Sequence, residues 1–472
     1  MLLLCFLIIG RKEADMIVHQ ADFSKGNVYK LVLRVSMPLI VAELVNLLYN
    51  MVDRIYIGHI PEVGSTALTG LGLCFPVISL ISAFAKLFGS NGGAPLSAMA
   101  RGRGDDREAS LVMGNSFVLS VITGFLLMII VLVFNRPILY AFGASDSTYG
   151  YAKEYLEIYA LGSIPVLVTL SMTAFINSQG FAAVGMITVL IGAVLNIILD
   201  PILIFVFDMG VKGAAIATVF SQTVSCIFVL VFLTGRTAVL RLRFQDMHIS
   251  WKRSWKIITL GTSGFVMGAT NSIVQLVCNR CAFIWGGDFY VGVMAILNSV
   301  REVFSTFSNG ISSGASPVMS YNYGAKDGRR VREASNATLL IIFVYSLIVW
   351  AFVLAFPHAM AMLFTQDEAM INAAVSALHI YFFGFVFMAF QSSGQQTFVA
   401  LGKAGQAVFF SLFRKVIIVV PLTIILPYFF GINGVMLAEP ISNVIGGLAA
   451  YLTMRHIVFP ELRRMENKSL PQ

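Results

Sequence analysis

The stretch VLNIILDPIL, residues 194–203, puts an amide and a carboxylate into an otherwise apolar run and follows them with proline. Asn196 and Asp200 are four residues apart, so on a helix they stack on one face. Pro201 has no N–H to donate, so it is expected to interrupt the helix and free the carbonyl of Ile197. A soluble protein would not usually surround an acid in this way. The rest of the chain shows why this one does. Of its 472 residues, 57% are hydrophobic and only 12% are charged, about half the charged share of soluble domains, roughly 25%. Apolar runs of about 20 residues, enough to cross a bilayer as a helix, recur throughout. They fall near 33–58, 67–100, 110–135, 153–177, 184–206 and 213–235, then near 257–286, 291–320, 334–356, 372–398, 405–429 and 433–454. The expected fold is an all-α polytopic membrane protein with twelve transmembrane helices, six plus six.

Charge placement supports this count. The chain has a formal net charge of +8. Its Lys and Arg residues cluster after the second, sixth, eighth and twelfth segments: Arg101/Arg103/Arg107, Arg236–Lys256, Lys326–Arg332 and Arg455–Lys468. By the positive-inside rule both termini are cytoplasmic, and the basic balance needs no nucleic acid. The domain reading is an N-terminal extension 1–27, a first lobe 28–235, a cytoplasmic linker 236–256, a second lobe 257–456 and a cytoplasmic tail 457–472. The opening apolar run, MLLLCFLIIG, has no basic residues before it and is too short to span. It reads as a peripheral extension, with Met16 an alternative start.

The halves repeat. PLSAMARGRGDD from Pro95 aligns with PVMSYNYGAKDG from Pro317, REAS recurs at 107–110 and 332–335, and GVKGAAIAT from Gly210 aligns with GINGVMLAE from Gly431. DPILIF at 200 pairs with VPLTII at 420, and Asp53-Arg54 with Asn279-Arg280, so the offset stays at about 220–226 residues throughout. Two pseudo-symmetric six-helix lobes related by an axis along the membrane normal suit alternating access.

The first segment reads MPLIVAELVNLLYNMVDRIYIG, in which Glu43, Asn46, Asn50 and Asp53 form one helical stripe bordered by Tyr49. A central carboxylate facing lipid costs about 2.5–3.5 kcal/mol even on the mild insertion scale, so this stripe should face a cavity between helices. Asp53, Asn196, Asp200 and Thr218 then offer a set of hard oxygen ligands for a small cation. Without Na⁺, two such carboxylates in low dielectric cannot both ionise easily, so the same set can take Na⁺ or H⁺. The competing reading makes the acids structural hydrogen-bonders, or partners of Arg54 or Lys86, and Thr218 a residue that bonds only its own backbone. In the second half, Asn279, Val416, Val420 and Glu439 stand at the aligned positions. The seventh segment keeps a neutral stripe, Asn271, Gln275 and Asn279. Glu439 is either a substrate or coupling group or the partner of Arg280 or Arg414. Arg301 and Glu302 read as a structural ion pair.

Several classes are set aside. The phosphate-binding loop G-x-x-x-x-G-K-[ST] is absent, since VALGKA lacks its first Gly and its Ser/Thr. The six histidines show no zinc spacing, and no soluble catalytic domain exists. The CxxC at Cys278 and Cys281 lacks a thioredoxin-like context and reads as packing. The 38 Phe and 21 Met suit promiscuous binding, although most must face lipid or pack helices.

LYNMVDRIYIG, PLSAMARGRGDD, LNIILDPILIF and GVKGAAIAT together resemble the multidrug and toxic compound extrusion (MATE) transporters, over residues 28–456 or so. The overall look is that of the MepA-like members of its prokaryotic DinF-like branch. The resemblance implies two six-helix lobes and drug efflux driven by Na⁺ or H⁺. In that branch an Asp in helix 1, an Asn and an Asp four apart in helix 5 and a Thr in helix 6 bind the cation, which here means Asp53, Asn196, Asp200 and Thr218. These are the expected cation-coupling residues, and the Na⁺ ligands if sodium is used. Glu43, Asn46, Tyr49, Asn50, Gln275, Asn279 and Glu439 are the candidate cavity residues. The C-lobe acids of the NorM-like branch have no match in helix 7.

The expected function is a monomeric, multi-pass secondary antiporter of the cell membrane, exporting cationic or amphipathic drugs, with no cofactor beyond its coupling ion and no enzymatic activity. A flippase for lipid-linked or polyanionic cargo is the alternative. It would want several cavity Arg or Lys, whereas cavity acids are expected to outnumber bases. A membrane enzyme or receptor would want clustered catalytic residues or a ligand domain, and neither is visible.

Overall fold

In the computed structural model, residues 20–61 and 63–469 are described, so most of the expected extension 1–27 lies outside them. Among the described residues every long element is a helix. Nine helices are long and apolar enough to cross a bilayer, and two further spans are bent pairs: Asp146–Leu161 with Ser163–Ser178 (56°) and Glu368–Phe382 with Phe385–Ala400 (43°). The 74-residue helix Trp251–Gly324 turns sharply at Gly287, at φ 67° and ψ −168°, and so supplies two spans. The result is twelve, as the apolar runs predict: α1 (Val28–Gly58), α2 (64–102), α3 (Asp106–Ala141), α4 (146–178), α5 (Ala182–Val206), α6 (Gly210–Thr234), α7 (251–286), α8 (288–324), α9 (Gly328–Ala355), α10 (368–400), α11 (Ala404–Phe430) and α12 (Ile432–Ser469).

The chain groups into two units. The first holds 20–23 with 41–261 and the second holds 24–40 with 262–469. These bounds differ from the apolar-run bounds at the starts of α1 and α7. The opening turns of α1 belong with the second unit, where fully buried Ser36 donates to the carbonyl of Ile311 at 3.2 Å. The opening turns of α7 belong with the first, where Gly261 lies against the backbone of Leu87. α12 runs on to Ser469, so residues 457–469 of the expected cytoplasmic tail are helical.

The repeated motifs have local physical causes. Asp105 caps α3 by accepting from the Glu108 N–H, and Asp327 caps α9 by accepting from the Arg330 N–H; such a cap contributes about 1 kcal/mol. Gly210 and Gly431 take positive φ, at 53° and 57°, to start α6 and α12. One turn later, Gly213 and Gly434 let these helices touch the preceding one. A Cβ on Gly213 would lie 2.7 Å from the Leu203 carbonyl carbon, and one on Gly434 would meet Leu426.

Pro201 does not interrupt α5. The helix widens into a π-turn over Ile202–Val206 and continues, and α11 has a similar π-stretch at Phe413–Val419 ahead of Pro421. Such turns absorb a lost backbone bond without ending the helix.

The long connection 236–256 is fixed to the first unit. Arg107 pairs with buried Asp246, and Asn115 donates to Ser254 Oγ (2.8 Å) and accepts from the Ser250 N–H (2.8 Å). Arg253 grips Glu108 with Nε and Nη2 at 3.0 and 2.8 Å. The second unit repeats the device at the end of α12, where Arg332 pairs with Glu466 and Lys403 with Glu461, both at 2.7 Å. About a quarter to a third of each side chain in the Arg253–Glu108 pair is exposed. A double-mutant cycle on these two positions, read by thermal denaturation in detergent, is therefore expected to give a coupling of only about 0.5–1 kcal/mol.

Candidate functional site

The first unit has a buried apolar core that includes Leu71, Ile81, Leu156 and Leu167. α1 shows two distinct sides. Leu44, Leu48, Met51 and Ile55 are exposed along one, the side suited to lipid. Asp53 lies about half a turn away and is only 7% exposed, with Ile57 fully buried beyond it. Asn46 and Asn50 share the side of Asp53 yet are solvent-exposed, and Asn50 Nδ2 donates to the Asn46 carbonyl at 2.6 Å. The stripe therefore divides: Asp53 enters the packed interior, Asn46 and Asn50 stay open, and Glu43 and Tyr49 are half-buried.

On α5, Val194 and Ile198 are exposed, which turns Asn196 and Asp200 inward, to 1% and 0% exposure. Asn196 Nδ2 donates to Asp200 Oδ1 at 3.2 Å and to Thr218 Oγ1, on α6, at 3.3 Å. Thr218 thus serves the cluster rather than only its own backbone. Asp53 lies within electrostatic reach of Asp200, and Tyr49 feels both. The four predicted cation residues are thereby gathered in one unit.

Several oxygens of the cluster lack a hydrogen-bond partner. Asp53 Oδ1, Asn196 Oδ1, Asp200 Oδ2 and Ser221 Oγ are buried without any hydrogen-bond partner. Among the described residues neither carboxylate has an ion-pair partner. Arg54 lies over the Phe75 ring at 4.3 Å, outside ion-pair distance of Asp53 although its charge still acts on it, and Lys86 is exposed. A buried polar group without a partner costs about 1–3 kcal/mol and more when charged, so carboxylates in such a place demand a positive charge of their own. The donor set is two carboxylates, an amide oxygen and hydroxyls. All of these donors are hard oxygens, the kind that suits a small hard cation or a proton. Sequence reasoning missed Tyr155 and Tyr159, which stack at 6.0 Å on α4, with Tyr155 facing Asp53 and Tyr49. Their i, i+4 spacing was the available signal.

The second unit differs. On α7, Asn271 and Gln275 are exposed on the side opposite Ile273, Leu276 and Ile284, and Asn279 is half-buried. Glu439, 7% exposed, accepts from Arg414 at 3.1 Å and from Arg301 at 3.4 Å. Arg301 therefore pairs with Glu439 and not with Glu302, which is exposed, while Arg280 lies over Phe283. Buried Lys415 lies within electrostatic reach of the same three groups. Here, against the expectation that acids outnumber bases, one carboxylate is surrounded by three basic residues. Cys278 and Cys281 are free thiols, with Cys278 beside Thr423 at 3.7 Å.

The MatE family matches residues 38–202 and 265–425, one stretch in each half. Multidrug export protein MepA of Staphylococcus aureus is 25% identical over 430 residues, covering 91% of this chain and 94% of its own. The protein of that name from Staphylococcus saprophyticus is 24% identical over 431 residues, with coverage of 91% and 94%. A MATE crystallised in complex with MaL6 superposes at a TM-score of 0.89 and 25% identity, over 94% of this chain and 99% of that one. An outward-facing multidrug resistance MATE of the MOP superfamily shares the fold, at 0.88 and 24% identity over 94% and 99%. These relatives give the flippase reading no support. With matches in both halves and a fold of twelve helices in two units, the chain belongs to the MatE family and is a membrane transporter, not an enzyme.

Proposed function

We propose that this transporter exports organic cations and related amphipathic drugs by antiport, driven by Na⁺ or H⁺ entering at Asp53 and Asp200. The observation that carries the reading is the set of buried oxygens on Asp53, Asn196 and Asp200 that have no hydrogen-bond partner. Its relatives' names, multidrug export proteins, support the cargo class. In the first unit, the open amides Asn46 and Asn50 supply neutral polar contacts that do not select sharply among ligands. Both termini face the cytoplasm of the cell membrane in this reading, since the Lys/Arg-bearing connections follow α2, α6, α8 and α12.

Coupling follows from differential affinity. The ion must bind one conformation better than the other, because equal affinity shifts nothing. Moving a population from 1:99 to 99:1 takes about 10⁴-fold preference, or about 5.5 kcal/mol. Charge neutralisation in a dry pocket is an interaction of the right size, and it disappears wherever α1 carries Asp53 away from α5. The test is ethidium efflux from vesicles under separately imposed Na⁺ and pH gradients. At least one gradient is expected to accelerate efflux. Efflux unchanged when both are collapsed contradicts antiport.

A further inference from the structure

In the second unit, α9 begins beside the end of α12. The two helices touch at Gly328, where a Cβ would meet the backbone of Leu462. Beside that contact lies an open groove of about 340 Å³, lined by Arg329, Arg332 and Asn336 of α9 and by Arg455, Phe459 and Arg463 of α12. Glu333 lines it as well. The helical repeat makes each wall, since these positions recur every three or four residues along their helices. Phe459 is 7% exposed and supplies an apolar floor, with the Arg455 guanidinium over its ring at 5.9 Å.

Two of the four arginines are already paired. Arg329 Nε donates to Glu333 at 2.9 Å, and Arg332 Nη2 donates to both oxygens of Glu466, at 2.8 and 2.7 Å. Arg455 and Arg463 are exposed to the groove, and neither has an ion-pair partner among the described residues. Four arginines against Glu333 and Glu466 leave two positive charges over. Basic residues near a bilayer need no site to explain them, because holding a loop on one side of the membrane suffices. That rule does not account for convergence, in which arginines from two helices meet around one concavity with an aromatic floor. It does not ask for arginine over lysine either. A phosphate does, since the planar guanidinium fork matches its oxygens. Basic pockets between membrane helices are places where anionic lipid headgroups are held.

We propose that the groove between α9 and α12 binds the headgroup of an anionic phospholipid, with Arg455 and Arg463 taking its phosphates and Phe459 meeting its glycerol backbone. Two unpaired arginines suit two phosphodiesters, so cardiolipin should fill the groove best. The site shares no residue with the ion cluster of the first unit or with Glu439, and its test does not use transport. The purified full chain in detergent is titrated with cardiolipin, phosphatidylglycerol and phosphatidylcholine, and bound lipid is counted by native mass spectrometry. Both anionic lipids are expected to bind more tightly than phosphatidylcholine, cardiolipin most of all. A basic residue near a lipid surface is worth about fivefold in affinity, so Arg463→Gln should weaken cardiolipin by about that factor and Arg455→Gln with Arg463→Gln by about thirtyfold. Phosphatidylcholine binding and the lipid-free denaturation temperature should stay unchanged, which shows that the variants are folded. Arg464→Gln removes a charge from the same helix outside the groove and should cost no affinity. Equal losses in Arg463→Gln and Arg464→Gln would reduce the effect to general surface charge and overturn the site. Equal affinity of the unmodified chain for all three lipids would overturn it as well. Displacement of cardiolipin by inorganic phosphate as readily as by phosphatidylglycerol would give the groove to a free anion and overturn the lipid assignment.

Discussion

Asp200→Asn is expected to lower gradient-driven efflux by roughly 100-fold or more while leaving the protein at least as stable as before. The side chain is fully buried, and its Oδ2 has no partner. Asparagine keeps the shape and can still meet Asn196, but it removes the charge that a proton or Na⁺ neutralises. A 100-fold loss corresponds to about 2.7 kcal/mol of driving preference, within what one desolvated charge interaction supplies. Stability separates this account from its rival. If Asp200 were a structural hydrogen-bonder, its replacement would lower the denaturation temperature. If it is an uncompensated carboxylate awaiting an ion, replacement leaves that temperature unchanged or raises it. Asp53→Asn should behave alike. The double variant should be no worse than either single one, because groups that act as one unit are not additive. Vesicle efflux and thermal denaturation in detergent check both halves of the prediction.

The second large effect is expected on folding. Arg414→Met leaves Glu439 buried with only the longer contact from Arg301 at 3.4 Å. Removing one partner of a buried ion pair costs about 3–5 kcal/mol. Arg414→Met should therefore lower stability by at most that amount, because Arg301 and Lys415 remain near Glu439, and adding Glu439→Gln should deepen the loss by stripping both of their carboxylate. Equal loss in the single and double variants would show that Arg414 acts by packing rather than by charge.

Much of this was legible in the sequence. Apolar run lengths and loop charges indicated twelve helices because a bilayer leaves a chain few other choices. The repeat was visible for concrete reasons: Asp105 and Asp327 cap helices, Gly210 and Gly431 turn the chain, and Gly213 and Gly434 admit a neighbouring backbone. Asn196 and Asp200 stood out because polar pairs at i, i+4 in an apolar helix have few uses. The basic cluster did not stand out. Arg301 was matched with Glu302 on adjacency, yet neighbours in sequence point different ways around a helix. Glu439 comes to Arg301 from 138 residues away. Tyr155 and Tyr159 were hidden for a different reason, since aromatic residues on a membrane helix look the same whether they face lipid, core or a site. Pro201 misled in a third way: a π-turn took up the lost bond that the residue type alone assigns to a break.

The central claim is that Asp53 and Asp200 share a single ion. It is tested most directly by counting what leaves the purified protein when dye binds, with proton release followed in unbuffered solution and displacement of radioactive sodium followed in parallel. The account predicts one H⁺ or one Na⁺ released per chain in the unmodified protein, and none in either Asp53→Asn or Asp200→Asn. Release that persists in both variants would contradict it, and so would release that falls by half in each.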